Sequence, residues 1–298
     1  MEWPELRYEE WKETCDTLHM WTQVVGKVKL ALVPYLNEWW EVAFHFTPRG
    51  LTTGPIPFDE RTFDVRFDFV GDELRIDTDD GRSATLALQP RSVADFYREF
   101  SRSLADLGFE IRIDTMPVET TNHIPFDTDE THRSYDAGAV HRWWRIMLST
   151  YHVFERWRSP FVGKSSPVQF FWGSFDLSEV RFSGRPATPP AGTIMRYAED
   201  QQNFAAGFWP GDEKYPHAAF YTYTYPEPDG FRQAHIQPSE ASYDETLGEF
   251  LLPYDDLRRS ASPEEAITQF LQTTYVAAAN LGKWDRDRLE RTPPPGVP

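Results

Sequence analysis

The same order of elements occurs twice along the chain, and this repetition limits the folds that it can adopt. An aromatic-rich helical pattern leads to Val25-Gly26-Lys27 in the first half and to Val162-Gly163-Lys164 in the second, and strand patterns follow each. Similar helices close the halves at Leu107-Gly108 and Leu281-Gly282. Internal self-similarity indicates a duplicated unit. We therefore predict an α+β protein of two similar halves, a degenerate internal duplication in which each half has an antiparallel sheet of about four strands flanked by helices. Two unrelated α+β halves with chance similarities are the alternative.

Local patterns predict the individual elements. Apolar residues recur every three or four positions from Trp11 to Val25, which predicts an amphipathic helix that ends at Gly26. Strict alternation from Phe63 to Phe69 predicts a strand with one buried face. The alternating segments on either side of Asp79-Asp80-Gly81 predict a hairpin, and Ser92 predicts the start of the next helix because its hydroxyl can cap it.

Composition changes along the chain predict its organisation. Prolines and acidic residues between the two halves predict a linker, and a further proline-rich stretch predicts an inserted loop in the second half. The predicted segments are a first half over 1–116, a linker over 117–136, a second half over 137–285 with a loop insertion over 186–216, and a Pro-rich tail over 286–298.

The charge balance excludes several classes of partner. The 30 Lys and Arg against 47 Asp and Glu give a net charge of −17, whereas nucleic-acid or anionic-membrane surfaces need clustered basic residues. The N-terminus has no signal-peptide pattern, and no apolar run approaches the length of a membrane-spanning helix. The single cysteine, Cys15, excludes an internal disulfide and favours a reducing compartment. We expect no nucleic acid and no membrane as partner and a cytoplasmic location, and the oligomeric state stays open.

The sequence contains two segments that resemble cofactor or metal motifs, and both are incomplete. Gly163-Lys164-Ser165 resembles the end of a P-loop, but Arg158 stands where that motif requires glycine. The acidic run that ends at Gly81 has Leu88 where a calcium loop needs glutamate, so we interpret it as a turn. The sequence therefore predicts no cofactor and no metal site.

One edge of the first helix carries a candidate catalytic group. His19, Gln23 and Lys27 follow each other at four-residue spacing and would present their polar ends together. We predict His19 as an acid or base, with Gln23 and Lys27 binding substrate. The alternative is a histidine at the edge of the core that bonds to a backbone carbonyl.

A second candidate follows the aromatic run that ends in Trp172 and Asp176. Arg181 and Arg185 lie just downstream, and an arginine fork suits a carboxylate or phosphate. Arg49 and Thr52 occupy the matching place in the first half. We predict that these six residues bind an anionic substrate, while a core strand with a structural Asp–Arg pair is the alternative.

The second half supplies further candidates. Trp209, between Gly207 and Gly211, could cover a pocket or simply pin a loop, and three tyrosines share one face of a strand that could line a cavity. These tyrosines are Tyr221, Tyr223 and Tyr225. Glu249 adjoins a strand that we expect to be buried, and burial would raise its pKa, so we predict it as a second catalytic residue. Tyr254, at the end of that segment, is a predicted binding residue.

At several of these segments the chain resembles a bacterial family catalogued only as a domain of unknown function. The resemblance runs from about Trp3 to Trp284 but implies no reaction, so no catalytic role is transferred. The segments that carry it are Thr17 to Gln23, Arg49 to Thr53, Phe170 to Asp176 with Arg181 to Arg185, Gly207 to Gly211, and Gly248 to Tyr254.

Together these patterns predict a protein with a small-molecule pocket. The ligand would be anionic with a ring or a partly apolar body, and the protein could be a metal-independent acid/base enzyme. A non-catalytic ligand-binding or sensing protein is one alternative. A protein–protein interaction module, in which the aromatic residues anchor an interface, is the other.

Overall fold

The structure is a computed structural model that describes residues 1–292 and 294. The predicted tail over 286–298 therefore lies partly outside the described residues. Within them are seven α-helices and two antiparallel sheets of six strands each, so the predicted α+β class is confirmed. The sheets have more strands than the predicted four because several strands are only two or three residues long, too short to show an alternating pattern.

The helices and strands are as follows. The helices are α1 (Tyr8–Leu32), α2 (Val93–Asp106), α3 (Ala137–Arg158), α4 (Thr193–Ala198), α5 (Tyr254–Leu257), α6 (Pro263–Leu281) and α7 (Arg286–Leu289). The strands are β1 (His45–Phe46), β2 (Gly50–Thr52), β3 (Ile56–Phe58), β4 (Arg61–Asp68), β5 (Glu73–Thr78), β6 (Ser83–Ala87), β7 (Gln169–Phe171), β8 (Asp176–Pro186), β9 (Gln201–Trp209), β10 (Ala219–Tyr225), β11 (Ser242–Asp244) and β12 (Glu249–Pro253).

The chain divides into two compact units, which are described separately. The N-terminal unit contains Leu6–Arg145 and Phe170–Phe175. The C-terminal unit contains Met1–Glu5, Ile146–Gln169 and the chain from Asp176 onward. The segment predicted as a linker, 117–136, falls inside the N-terminal unit, where Phe126 and Asp129 are fully buried.

The N-terminal unit has the strand order β1-β2-β4-β5-β6, with β3 also pairing with β4. The predicted hairpin is present, because β5 and β6 pair in register from Glu73↔Ala87 to Asp77↔Ser83. Ser92 accepts a hydrogen bond from the Asp95 backbone N–H at 3.1 Å and caps α2 as predicted. The alternating residues of β4 bury one face of the sheet, which is the arrangement expected for a half-buried strand.

Helix α1 does not end at Gly26, as the sequence predicted, but continues to Leu32. Gly26 instead permits a close contact, because a Cβ atom at this position would lie 2.3 Å from the indole ring of Trp172. Trp172 is itself fixed, since its Nε1–H donates to the Val42 carbonyl at 2.8 Å. The glycine marks tertiary packing rather than a helix end, and the helix accepts the local cost of glycine in its interior.

The C-terminal unit is built on the strand order β11-β12-β10-β9-β8. Helices α3 and α6 cover one face, where Phe154 stacks on Phe220 with ring centroids 6.4 Å apart and Tyr275 contacts Phe204 at 5.6 Å. The predicted loop insertion over 186–216 contains α4 and β9 and therefore contributes a full strand to this sheet. The opposite face carries half-buried tyrosines and acidic side chains.

Candidate functional site

One face of the C-terminal sheet combines aromatic rings with carboxyl groups, and we call it the tyrosine face. Strand register places Ser178, Gly207, Tyr221 and Leu251 in one row across four strands, so residues two positions away share this face. The chemically significant members are Asp176 on β8, Asn203 and Trp209 on β9, Tyr221 and Tyr223 on β10, and Glu249 on β12.

Tyr221 links two strands that are not neighbours. Its hydroxyl donates a hydrogen bond to Asp176 Oδ2, which requires the ring to cross β9. The ring crosses at Gly207, where a Cβ atom would lie 2.3 Å from the tyrosine hydroxyl oxygen. Burial and the Asp176 carboxylate both raise the pKa of Tyr221 well above its ordinary value, so the phenol stays neutral. Gly207 therefore allows the Tyr221–Asp176 pair to form.

A second chain of hydrogen bonds lies beside the first. The Tyr223 hydroxyl donates to Glu199 Oε1 at 3.3 Å, and Asn203 Nδ2 donates to the other oxygen of that carboxylate. The Tyr221 and Tyr223 rings are nearly parallel, with centroids 6.3 Å apart and planes at 14°. Burial and the nearby Glu199 carboxylate raise the pKa of Tyr223 well above its ordinary value. The two tyrosines thus present a pair of neutral, aligned rings.

Glu249 is a carboxyl group on this face with strongly altered acidity. It begins β12 immediately after a tight turn, in which Gly248 has φ 77° and its N–H donates to the Asp244 carbonyl at 2.8 Å. Burial, followed by repulsion from Asp176 and Asp244, raises the pKa of Glu249 to about 8. The carboxyl group is therefore largely protonated at neutral pH, which suits a proton donor.

The raised pKa of Glu249 predicts a pH dependence of stability. A folded-state pKa of about 8 against the ordinary 4.5 means that the folded protein holds this proton more tightly than the unfolded chain. The stabilising contribution is complete below about pH 4.5 and is lost as pH rises through 8. We expect the melting temperature of the Glu249→Gln variant to fall less between pH 5 and pH 9 than that of the wild type. An equal fall in the melting temperature of the two proteins between pH 5 and pH 9 would contradict the raised pKa of Glu249.

Trp209 borders the tyrosine face. It lies at the end of β9 opposite Ala219, is half-buried, and stacks on Tyr215 with centroids 5.8 Å apart. Burial raises the pKa of Tyr215, and the Asp244, Asp256 and Glu249 carboxylates raise it further. The Trp209–Tyr215 pair thus adds an aromatic edge near Glu249.

Comparison with protein-family models finds one match over residues 3–291, to a family of unknown function designated DUF5996. The chain belongs to this family. No curated protein and no solved structure gives a significant match. Among the residues that the structure describes, none of the helices in this DUF5996 member is long and apolar enough to cross a membrane. The same residues include no group of three or more His, Cys, Asp or Glu arranged to hold a metal ion.

The structure gives His19, Gln23 and Lys27 of this DUF5996 member partners within the N-terminal unit. His19 Nε2–H donates to the Gly173 carbonyl at 2.9 Å, and burial lowers the pKa of this histidine to about 4. Gln23 Nε2 donates to the Val118 carbonyl at 2.7 Å, and its Oε1 accepts from the Val118 N–H at 2.9 Å. Lys27 donates to the Met116 carbonyl. These side chains hold backbone segments in place, as in the alternative considered for His19.

Two of the three arginines predicted to bind an anion, Arg181 and Arg185, have partners elsewhere in the protein. Arg181 lies on the opposite face of β8, where it is 2% exposed, stacks on Trp157 at 3.3 Å and has its Nε 3.5 Å from Glu179 Oε2. Arg185 Nη2 donates to the carbonyls of Gly282 at 3.1 Å and Lys283, at the end of α6. Both guanidinium groups therefore satisfy protein acceptors.

The remaining predicted binding residues have structural partners too. Arg49 Nε donates to Asp68 Oδ2 at 2.6 Å, and Thr52 Oγ1 accepts from the Gly54 N–H at 3.0 Å. Trp172 is 4% exposed within the N-terminal unit. Tyr254 donates to the Pro4 carbonyl at 2.6 Å, which holds the start of the chain in the C-terminal unit.

Three predicted site residues, Asp176, Trp209 and Glu249, therefore lie together on the tyrosine face of this DUF5996 member. The predicted tyrosine row supplies the surface between them. Sequence reasoning missed Glu199 and Asn203, because they fall in the stretch interpreted as a loop insertion. Interpreting β9 as a strand would have revealed Asn203, which then shares a face with Gly207, whereas Glu199 precedes the strand and gives no such signal.

Proposed function

We propose that the protein binds a small molecule on the tyrosine face and that Glu249 exchanges a proton with it. The observation that carries the proposal is the Glu249 carboxyl group, with its pKa raised to about 8, on the same sheet face as the hydrogen-bonded Tyr221–Asp176 pair. Perturbed acidity at a half-buried surface with converging polar groups is typical of binding and catalytic sites.

The chemistry available at this face is proton transfer. A carboxyl group with a pKa near neutral pH can give up a proton and take it back at little cost, which general acid/base catalysis requires. Asp176 is a neighbouring carboxylate that accepts the Tyr221 hydrogen bond, so two carboxyl groups with different environments lie on one surface. Such a pair supports an acid/base enzyme, and a non-catalytic binding protein would use the same surface without turnover.

The experiment is native mass spectrometry of the full chain purified from its own host. We expect the wild type to carry a small molecule. The Tyr221→Phe and Glu249→Gln variants should bind it at least about tenfold more weakly, which is a change of about 1.4 kcal/mol in binding free energy. Tyr243→Phe is the matched control, because its hydroxyl donates to Glu227 at 2.6 Å and the residue lies on the opposite face of the same sheet.

Two results would refute the proposal. One is an equal load of the small molecule in all four proteins, which would place binding elsewhere. The other is wild-type protein that carries nothing and binds nothing in a small-molecule screen read out by changes in intrinsic tryptophan fluorescence.

A further inference from the structure

The charged groups of the tyrosine face have one sign. Asp176, Glu199 and Glu249 contribute carboxyl groups, and the charges that shift the pKa of Glu249 are the carboxylates of Asp176 and Asp244. The strand positions on this face carry no Lys, Arg or His in β8 to β12. An anion placed here would meet repulsion and find no basic side chain in these strands to bind it.

A buried acceptor on the same face also lacks a donor. Asn203 is 1% exposed, and its Nδ2 is used by Glu199 and by the Gln201 carbonyl at 3.1 Å. Its Oδ1 has no hydrogen-bond partner among the residues that the structure describes. A buried oxygen without a donor is costly, and each such case in a native protein requires an explanation. The unpaired oxygen adds its partial negative charge to that of the carboxyl groups on this face, which favours a cation there.

The aromatic rings favour the same ligand. A cation is attracted to the face of an aromatic ring, and the near-parallel Tyr221 and Tyr223 rings present such faces beside the carboxyl groups. A primary ammonium group has three donors and no acceptor, so it complements a site made of carboxylate and amide oxygens.

We infer that the ligand of the tyrosine face is an organic cation, a primary amine with a ring or apolar body. The inference rests on the proposed function, because it names the ligand class of that site. It replaces the anionic ligand expected from sequence, whose predicted arginines have other partners.

Binding of such a cation has a consequence for Glu249. The carboxyl group is largely protonated at pH 7, and the titratable groups that interact with it include the acids Asp176 and Asp244 and the tyrosines Tyr215 and Tyr223. A bound ammonium group favours the ionised carboxylate, so Glu249 releases about one proton to solvent when the cation binds. Affinity for the amine therefore rises by up to about tenfold per pH unit between pH 6 and pH 8.

The experiment is isothermal titration calorimetry with three probes of matched shape. They are 2-phenylethylamine, 2-phenylethanol and 3-phenylpropanoate, which are cationic, neutral and anionic at pH 7. We expect the amine to bind at least about tenfold more tightly than the alcohol, and the carboxylate to bind most weakly. Titrations in two buffers of different ionisation enthalpy should show about one proton released from the wild type and none from Glu249→Gln.

Glu240→Gln, which removes an exposed carboxylate of the same unit, is the control for overall charge and should release the proton like the wild type. Equal or tighter binding of the alcohol or the carboxylate at this face overturns the amine inference and leaves the proposed function standing. Absence of binding by all three probes also overturns it, and the proposed function then stands or falls by the ligand found with native protein. Amine binding that Tyr221→Phe and Glu249→Gln leave unchanged overturns both.

Discussion

Replacement of Trp172 by alanine is expected to lower the free energy of unfolding by about 3–5 kcal/mol. The indole lies against Gly26 in α1, where no Cβ atom occupies the space, and its Nε1–H donates to the Val42 carbonyl at 2.8 Å. Alanine would leave a cavity beside α1 and a carbonyl without its donor. Urea denaturation followed by far-ultraviolet circular dichroism measures the change.

Trp209→Ala is the matched control for this experiment. Trp209 is half-buried and stacks on a single tyrosine, Tyr215, so its loss should cost about 1 kcal/mol. A Trp172→Ala variant as stable as Trp209→Ala would mean that Trp172 is not a core residue. The comparison separates the two tryptophans that the sequence suggested as ligand contacts.

Replacement of Arg181 by methionine is expected to destabilise the protein by about 3–5 kcal/mol at pH 8. The Glu179 carboxyl group is 0% exposed, and its oxygens have no hydrogen-bond partner among the described residues, so the guanidinium group is its charge partner. Burial raises the pKa of Glu179 above its ordinary value, and Arg181 offsets part of this rise. Without Arg181 the pKa rises further, so holding or neutralising the carboxyl group costs more at pH 8, and the loss of stability is smaller at pH 5 than at pH 8.

The double variant Glu179→Leu/Arg181→Met is the control for Arg181→Met. Because apolar residues of similar size can replace a buried ion pair with little cost, we expect it to recover most of the lost stability, to within about 1 kcal/mol of the wild type. Thermal unfolding of the three proteins at both pH values measures the difference. A double variant less stable than Arg181→Met would show that Arg181 stabilises the core through its stacking on Trp157 rather than through Glu179.

Elements whose patterns are local were predictable. The β5–β6 hairpin follows from alternation on either side of an acidic turn, and the Ser92 cap follows from a single hydroxyl one residue before α2. These features depend on backbone geometry within a few residues, which the sequence encodes directly. Gly26 shows the limit of such reasoning. A glycine that ends a helix and a glycine that admits a tryptophan ring look the same in one sequence, since the ring comes from a residue far along the chain.

The candidate site was also predictable only in part. Glu249 was predicted as an acid/base candidate because a polar residue adjoins a buried strand pattern, and its raised pKa agrees with that reasoning. The charge of its surroundings was not predictable. Strand pairing places Asp244 opposite Glu249 and leaves Asp176 on the same face three strands away, while the two-residue period of β8 sends Arg181 to the opposite face from Asp176.

The sequence by itself determined the α+β class, the formal net charge and the residue types that form the tyrosine face. Composition and short-range periodicity suffice for these properties, because they depend on each segment alone. The tertiary structure decided which side chains pack in the interior and which form the candidate site. Strand register gathers Asp176, Tyr221 and Glu249 on one half-buried surface, whereas His19, Trp172 and Arg181 bond to the interior of their own units. Desolvation and charge then set the acidity of the gathered groups, and both depend on neighbours that are distant in sequence.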